Sequence, residues 1–219
     1  MIYDFPEIAA PIRQGDIFGG LPRIDFSLGR IPIVADDGEI EVRTWQDFAK
    51  REEPVTAIVS LRPVLAIVAS QDCDTQRAPD ITLCEIRAFR DVERKSQETK
   101  SPKKWVNIIT QHARINQKWF YLPPDPRIGF DDKMAVDFMV CLRVPRVDLE
   151  NFRNLRIGRL NYVADEHFRE RISEFFRRYP YDEWYSLSSE ELEAYRQEYP
   201  EVKPFAWQMS QPRNEEGPQ

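Results

Sequence analysis

Apolar and polar positions alternate over short stretches in the first two thirds of the chain and recur at helical spacing in the last third. Gln14 to Phe18 predicts the start of a first strand after a proline-containing leader. Val64 to Ala69 follows Pro63 and is short, apolar and rich in β-branched residues, which predicts a fully buried strand. Ile81 to Phe89 reads as the next. Trp105 to Ile109, Ala113 to Ile115 and Trp119 to Leu122 read as further strands between short polar joints. Met134 to Val144 supplies another, with Val136, Phe138, Val140 and Leu142 expected on one face. Gly19 to Pro54 is irregular, with a turn signal at Ala35-Asp36-Asp37-Gly38 and a short helix expected over Trp45 to Arg51 behind Thr44. Asp91 to Lys104 is polar and lysine-rich, as a solvated loop would be.

From Asp165 the spacing changes. Phe168, Ile172, Phe175, Phe176 and Tyr179 predict one helix, which Pro180 ends. A second is expected from Ser188, where Glu191 completes a capping box and Leu187 and Leu192 form a hydrophobic staple. Many short strands followed by helices indicate a mainly β protein with C-terminal α structure. The expected organisation is a β-barrel over 1–147 with an inserted segment at 19–54, a helical extension over 148–204 and a disordered tail over 205–219.

Composition narrows the chemistry. Seventeen prolines against eight glycines among 219 residues favour stiff turns and strand edges. No apolar run reaches the roughly 20 residues that cross a bilayer, and Met1 to Ala10 lacks the order of a signal peptide, so no membrane association is expected. The three cysteines have no CxxC spacing, which argues against a disulfide framework or zinc knuckle and for a reducing, cytoplasmic setting. A formal charge of -6 offers no global attraction to nucleic acid, so such binding needs a local patch. No glycine-rich phosphate loop occurs, and neither cofactor nor metal is expected.

Two strings carry a resemblance. Gln14-Gly15-Asp16-Ile17 is similar to the opening Arg-Gly-Asp/Glu-Val/Ile strand of the PemK/MazF-like family. Arg62-Pro63-Val64-Leu65, with the polar exit Ser70-Gln71-Asp72, is similar to that family's Arg-Pro-Val-Leu strand. The resemblance implies an SH3-like barrel and an endoribonuclease toxin of a bacterial toxin–antitoxin or defence system. It makes Arg62 the catalytic arginine, whose guanidinium would stabilise charge on a phosphate during RNA cleavage. Arg87 stands where many members have a Thr or Ser, and would bind phosphate instead. The chain also resembles uncharacterised bacterial proteins with a Ser-Gln-X-Cys-Asp string, here Ser70 to Asp74, a later Arg159-Leu160 and a helix ending in Phe175-Phe176-Arg177-Arg178.

The remaining candidates are local. Asp72 and His112 are expected to supply contacts to RNA, and Lys103, Lys104 and Trp105 combine positive charge with a stacking surface suited to single strands. Cys73 between two aspartates is a poor nucleophile, because like charge disfavours a thiolate; the plainer expectation is that it packs inward while Asp72 and Asp74 accept turn amides. A cysteine or metal hydrolase remains a third class, with only His112 and His167 as bases. The competing reading to RNA recognition is a non-enzymatic accessory subunit whose C-terminal helices dock a larger protein.

Overall fold

Apolar side chains alternate onto both faces of the central strands, so the sheet they form needs cover on each side. The computed structural model describes residues 2–35, 37–50, 54–92, 100–107, 118–177, 189–198 and 200–201. Its strands are β1 (Tyr3–Asp4), β2 (Asp16–Asp25), β3 (Ile31–Val34), β4 (Ile40–Arg43), β5 (Ser60–Val68), β6 (Asp80–Ala88), β7 (Trp119–Leu122), β8 (Met134–Pro145) and β9 (Arg156–Leu160). The helices are α1 (Asp72–Arg77), α2 (Phe89–Val92), α3 (Pro102–Asn107), α4 (Arg146–Asn151), α5 (Tyr162–Arg177) and α6 (Ser189–Glu198).

The protein is mainly β. Seven strands form one curled antiparallel half-barrel in the order β1-β9-β2-β5-β6-β8-β7, and β3 with β4 forms a separate hairpin. Two compact units are distinguished, Met1–Phe176 and Arg177–Gln219; the sheet belongs to the first, and the described part of the second is Arg177, α6 and residues 200–201. β9 lies beyond residue 147 yet sits between β1 and β2, and the segment from Gly19 begins inside β2.

One face of the sheet carries Ile17, Ile67, Cys84, Ile86, Val136 and Phe138, and α5 covers it with Ala164 and Phe168. Phe168 is fully buried, and its ring packs against Phe120 and Phe138 at centroid distances of 5.4 and 5.9 Å. The other face carries Phe18, Leu21, Val64, Ala66, Ile81 and Leu83, covered by Leu149 of α4. Farther along that second face, Phe89, Trp119 and Ala135 form a smaller cluster against which Trp105 and Tyr121 pack.

Several sequence expectations change. Trp105 begins no strand: Pro102 opens α3, which runs through Asn107, because Pro is preorganised for a first helical turn and Trp105 gains edge contacts with Phe89 and Tyr121 at 4.8 and 5.0 Å. The same helix and α2 take up the ends of the loop expected over Asp91 to Lys104. Beyond Trp45–Asp47, a single 3-10 turn, the short helix expected to Arg51 does not continue. Val136 and Phe138 share a face, but Leu142 lies on the opposite one. The cause is an irregularity: Cys84 pairs with Cys141 and Glu85 with Asp137, so Phe138, Met139 and Val140 are extra on β8 and reverse its alternation. Ala113 to Ile115, the Ser188 cap and the tail after Pro204 lie outside the described residues.

A buried charge cluster joins the sheet to its leader. Asp16 is 0% exposed and accepts the Arg13 N–H at 2.9 Å, Arg156 Nη1 at 3.1 Å and Arg159 Nη2 at 3.0 Å. Arg156, whose side chain is 2% exposed, also donates to the carbonyls of Glu7, Ile8 and Pro11, and Arg159 to that of Pro11. Substituting Asp16→Asn keeps the size but leaves the buried Arg156 guanidinium and the half-buried Arg159 guanidinium without their countercharge. Loss of one partner of such a cluster costs about 3–5 kcal/mol, and urea unfolding of the variant against wild type should reveal a deficit of that order.

Candidate functional sites on opposite faces of the sheet

The second face holds a polar seam between its two apolar clusters. Arg62 lies on β5 beyond Val64 and is directly paired with Arg23 of β2. Its side chain is 45% exposed; Nε donates to Asp25 at 3.0 Å and Nη2 to Glu85 at 3.0 Å. Glu85 is only 3% exposed and also receives Arg23 Nη1, while Arg23 Nε meets Asp25 at 3.1 Å. Glu85 faces Asp137 across the β6–β8 ladder, and Asp137 is held by Arg87 at 3.5 Å and by the Met139 N–H at 3.0 Å. Arg62 thus has a ring of partners, and hydrogen bonds to Glu85 and then Asp25 raise its pKa further. A guanidinium so held stays charged at any working pH, which suits charge stabilisation and rules out general acid–base exchange. Three arginines face three carboxylates along this seam, so a phosphate would have to compete for each guanidinium with an existing partner.

The first face opens into a cavity of about 730 Å³ near the end of β5. Its lining includes Gln14, Ser70 to Asp74, Cys84 and Cys141 from the sheet side and Arg169, Ser173 and Phe176 from α5. The sequence strings meet here for a local reason. Gly15, at φ +81°, lets the leader turn into β2, its N–H donates to the Val68 carbonyl and its carbonyl accepts from Leu160. Gln14 Nε2 reaches the Ala69 carbonyl at 2.8 Å, and the Gln14 N–H donates to Asp72 Oδ1 at 2.9 Å. Thr75 Oγ1 donates to the Ile12 carbonyl at 3.0 Å, which ties α1 to the leader.

Charge in this cavity is dominated by carboxylates. Arg169 Nη2 bridges Asp72 Oδ2 at 3.2 Å and Asp165 Oδ2 at 2.8 Å. Asp165 Oδ1 is buried without a hydrogen-bond partner, and a Cβ on Gly15 would lie 2.8 Å from it. Burial raises the Asp165 pKa above the ordinary carboxyl range, and nearby Asp72 adds to this, although Arg169 opposes it. With Asp74 also at the rim, the cavity repels anions.

The positions expected from sequence therefore separate. Arg62 and Arg87 share the second face, whereas Asp72 belongs to the first-face cavity. Lys103 and Lys104 are exposed on α3. Trp105 is half-buried against Phe89 and Tyr121, with Lys133 Nζ 4.9 Å from its ring centroid, so its faces are largely engaged. His112 lies outside the described residues. Cys73 is exposed rather than packed inward, and Asp72 accepts the distant Gln14 amide rather than one from its own turn. Sequence reasoning passed over Glu85, Asp137, Asp165 and Arg169; a carboxylate amid the apolar run Ile81 to Phe89 was the available signal for Glu85. Among the described residues no group of three His, Cys, Asp or Glu side chains is arranged to hold a metal ion.

Asp165 yields a pH prediction. A carboxyl whose folded pKa is raised binds protons more tightly in the native state, so its contribution to stability is lost as pH rises through that pKa. The stability of Asp165→Asn relative to wild type should therefore climb between pH 4 and pH 7, measured as paired urea midpoints; a flat difference would contradict the assigned environment. No family profile, no curated protein and no solved structure matches this chain.

Proposed function

We propose that the chain is a non-enzymatic interaction protein, an accessory subunit that docks a larger protein through the arm built from the end of β2, the β3–β4 hairpin and the start of β5. The observation that carries this reading is the concentration of exposed apolar side chains there. Ile24, Phe26, Val42, Trp45, Ile58 and Leu61 are all exposed, and Leu61 is 61% so, directly across from Ile24. Among the described residues of the arm, only Ile31 and Phe48 are buried apolar side chains, too few to account for so much apolar surface as core. Clustered apolar exposure of this kind usually marks a contact surface. The charges around it are mixed, with Asp25, Asp37, Glu39, Glu41 and Asp47 against Arg23, Arg30, Arg43, Lys50 and Arg62. The expected partner is a protein with an apolar patch and a rim of mixed charge. No described helix is long and apolar enough to cross a membrane.

Leu61→Glu combined with Val42→Glu replaces exposed side chains, so folding should be retained by circular dichroism. Partners crosslinked to the protein in its native host are to be identified, purified and titrated against wild type and the double variant. The expected result is at least a tenfold weaker complex, about 1.4 kcal/mol. Equal affinity would remove the arm from the interface, and self-association abolished by the same substitutions would make the partner a second copy.

The row Arg23, Arg62 and Arg87 favours a second reading. On it, the curled sheet is a distant SH3-like barrel of PemK/MazF type, and RNA binds over the second face with Arg62 stabilising the cleaved phosphate. Glu85 and Asp25 then act as internal competitors for the phosphate. Labelled single-stranded RNA should be bound or cut by wild type, more tightly bound by Asp25→Asn and lost with Arg62→Ala. Intact RNA with no mobility shift in all three sinks this reading.

A further inference from the structure

The cavity on the first face holds a feature that neither reading uses. Cys84 and Cys141 are direct partners in the antiparallel β6–β8 ladder, and their sulfurs are 3.9 Å apart. Cys84 is buried, Cys141 is exposed, and both line the cavity. We propose that Cys84 and Cys141 form a thiol–disulfide exchange site, in which Cys141 attacks a small-molecule disulfide entering the cavity and Cys84 resolves the mixed disulfide.

The geometry supports both steps. Directly opposed residues of an antiparallel pair have Cα atoms about 4.5–5.5 Å apart, inside the roughly 4.4–6.8 Å that a disulfide spans. The sulfurs need to close to about 2.05 Å, a change within reach of side-chain rotation. The three extra residues of β8, Phe138 to Val140, adjoin this pair and interrupt the ladder there. The sulfur–sulfur contact with Cys84 holds the Cys141 thiol below its ordinary value, against burial and the nearby Asp137. The same contact is the largest cause raising the Cys84 pKa, ahead of burial.

In the first step the Cys141 thiolate forms a bond to one sulfur of the disulfide R–S–S–R. The S–S bond breaks, and one R–S⁻ leaves with the electron pair and takes up the proton that Cys141 released. Capping Cys141 removes the contact that most strongly held the proton on Cys84. Cys84 then loses that proton and attacks the Cys141 sulfur, expelling the second R–S⁻, which is protonated to R–SH. Two protein thiols are oxidised to one disulfide while one small disulfide is reduced to two thiols. Cys73 is exposed with its sulfur 3.8 Å from carboxyl or amide oxygens of Gln71 and Asp74, and serves as the internal control.

The test uses the full chain, fully reduced and then exposed to cystamine, a small disulfide whose two ammonium groups suit the carboxylate-lined cavity, with alkylation and peptide mass mapping over time. The expected product is a linked Cys84–Cys141 peptide pair, with the thiol count falling from three to one before Cys73 reacts, and from two to zero where Cys73 is first replaced by Ser. Cys84→Ser should accumulate cysteamine on Cys141, and Cys141→Ser should leave Cys84 unmodified. Cysteamine persisting on Cys141 of the wild-type chain, or modification confined to Cys73, overturns the proposal. The wild-type map decides the matter even where a variant at the buried Cys84 fails to fold.

Discussion

Asp16 is the constraint on which the rest of this structure hangs. A carboxylate with no exposed surface is costly unless neighbouring charges and donors offset its lost hydration. Here Arg156 and Arg159 come from β9, a strand about 140 residues away in sequence, while Arg13 supplies a backbone donor from the leader. One side chain thereby ties the first long strand, the strand that pairs beside it and the chain that precedes both. The guanidiniums then spend their remaining donors on the carbonyls of Glu7, Ile8 and Pro11, so the leader has backbone partners despite lacking regular structure. Gly15 completes the arrangement, since its positive φ and missing Cβ let Asp16 point inward while Gln14 reaches Asp72 and Ala69.

This framework keeps two chemistries apart. The arginine row lies on the second face, where every guanidinium is already shared with a carboxylate, and the thiols and the Asp72–Arg169–Asp165 group lie on the first. A ligand held by Arg62 cannot be contacted by Asp72 or Cys73 through a β-sheet closed by packed side chains on both faces. Any mechanism on the second face must therefore draw on Arg23, Arg62, Arg87 and their carboxylates, and any on the cavity face must work without arginine-rich anion binding.

The legible parts of the fold were those whose stability is local. β5 follows from a continuous apolar run, β6 from the looser alternation of Ile81 to Phe89, β7 from Trp119 to Leu122, and α5 from the spacing of Phe168, Ile172 and Phe175. The hairpin turn follows from Gly38, whose φ is +86°. What was not legible depends on distant partners. Trp105 has strand propensity, yet Pro102 and the rings of Phe89 and Tyr121 draw it into a helix. Asp16 was visible as part of a motif, but nothing nearby in sequence announces Arg156 and Arg159 as its partners. Cys73 sits in the most unusual string and points outward, whereas Cys84 and Cys141, in unremarkable strands, meet because the ladder brings them into register. For the candidate sites, Arg62 and Asp72 could be named from sequence, but their placement on opposite faces needed the strand parity.

That parity turns on β8. Up to Asp137 its alternation matches β6 from one side, and from Cys141 onward it matches from the other, with three residues between that pair with nothing on β6. An odd insertion reverses which face each later residue occupies. Without it, a strand continuing from Val136 and Phe138 would carry Leu142 to the α5 side, emptying the cluster around Leu83 and Leu149, and would turn Cys141 away from Cys84. The bulge therefore does two things at once: it lets one strand supply apolar cover to both faces, and it places an acidic pair, Glu85 and Asp137, beside a thiol pair that faces the opposite way. Bulges concentrate where a side chain must be re-aimed, and here the re-aimed side chain is Cys141.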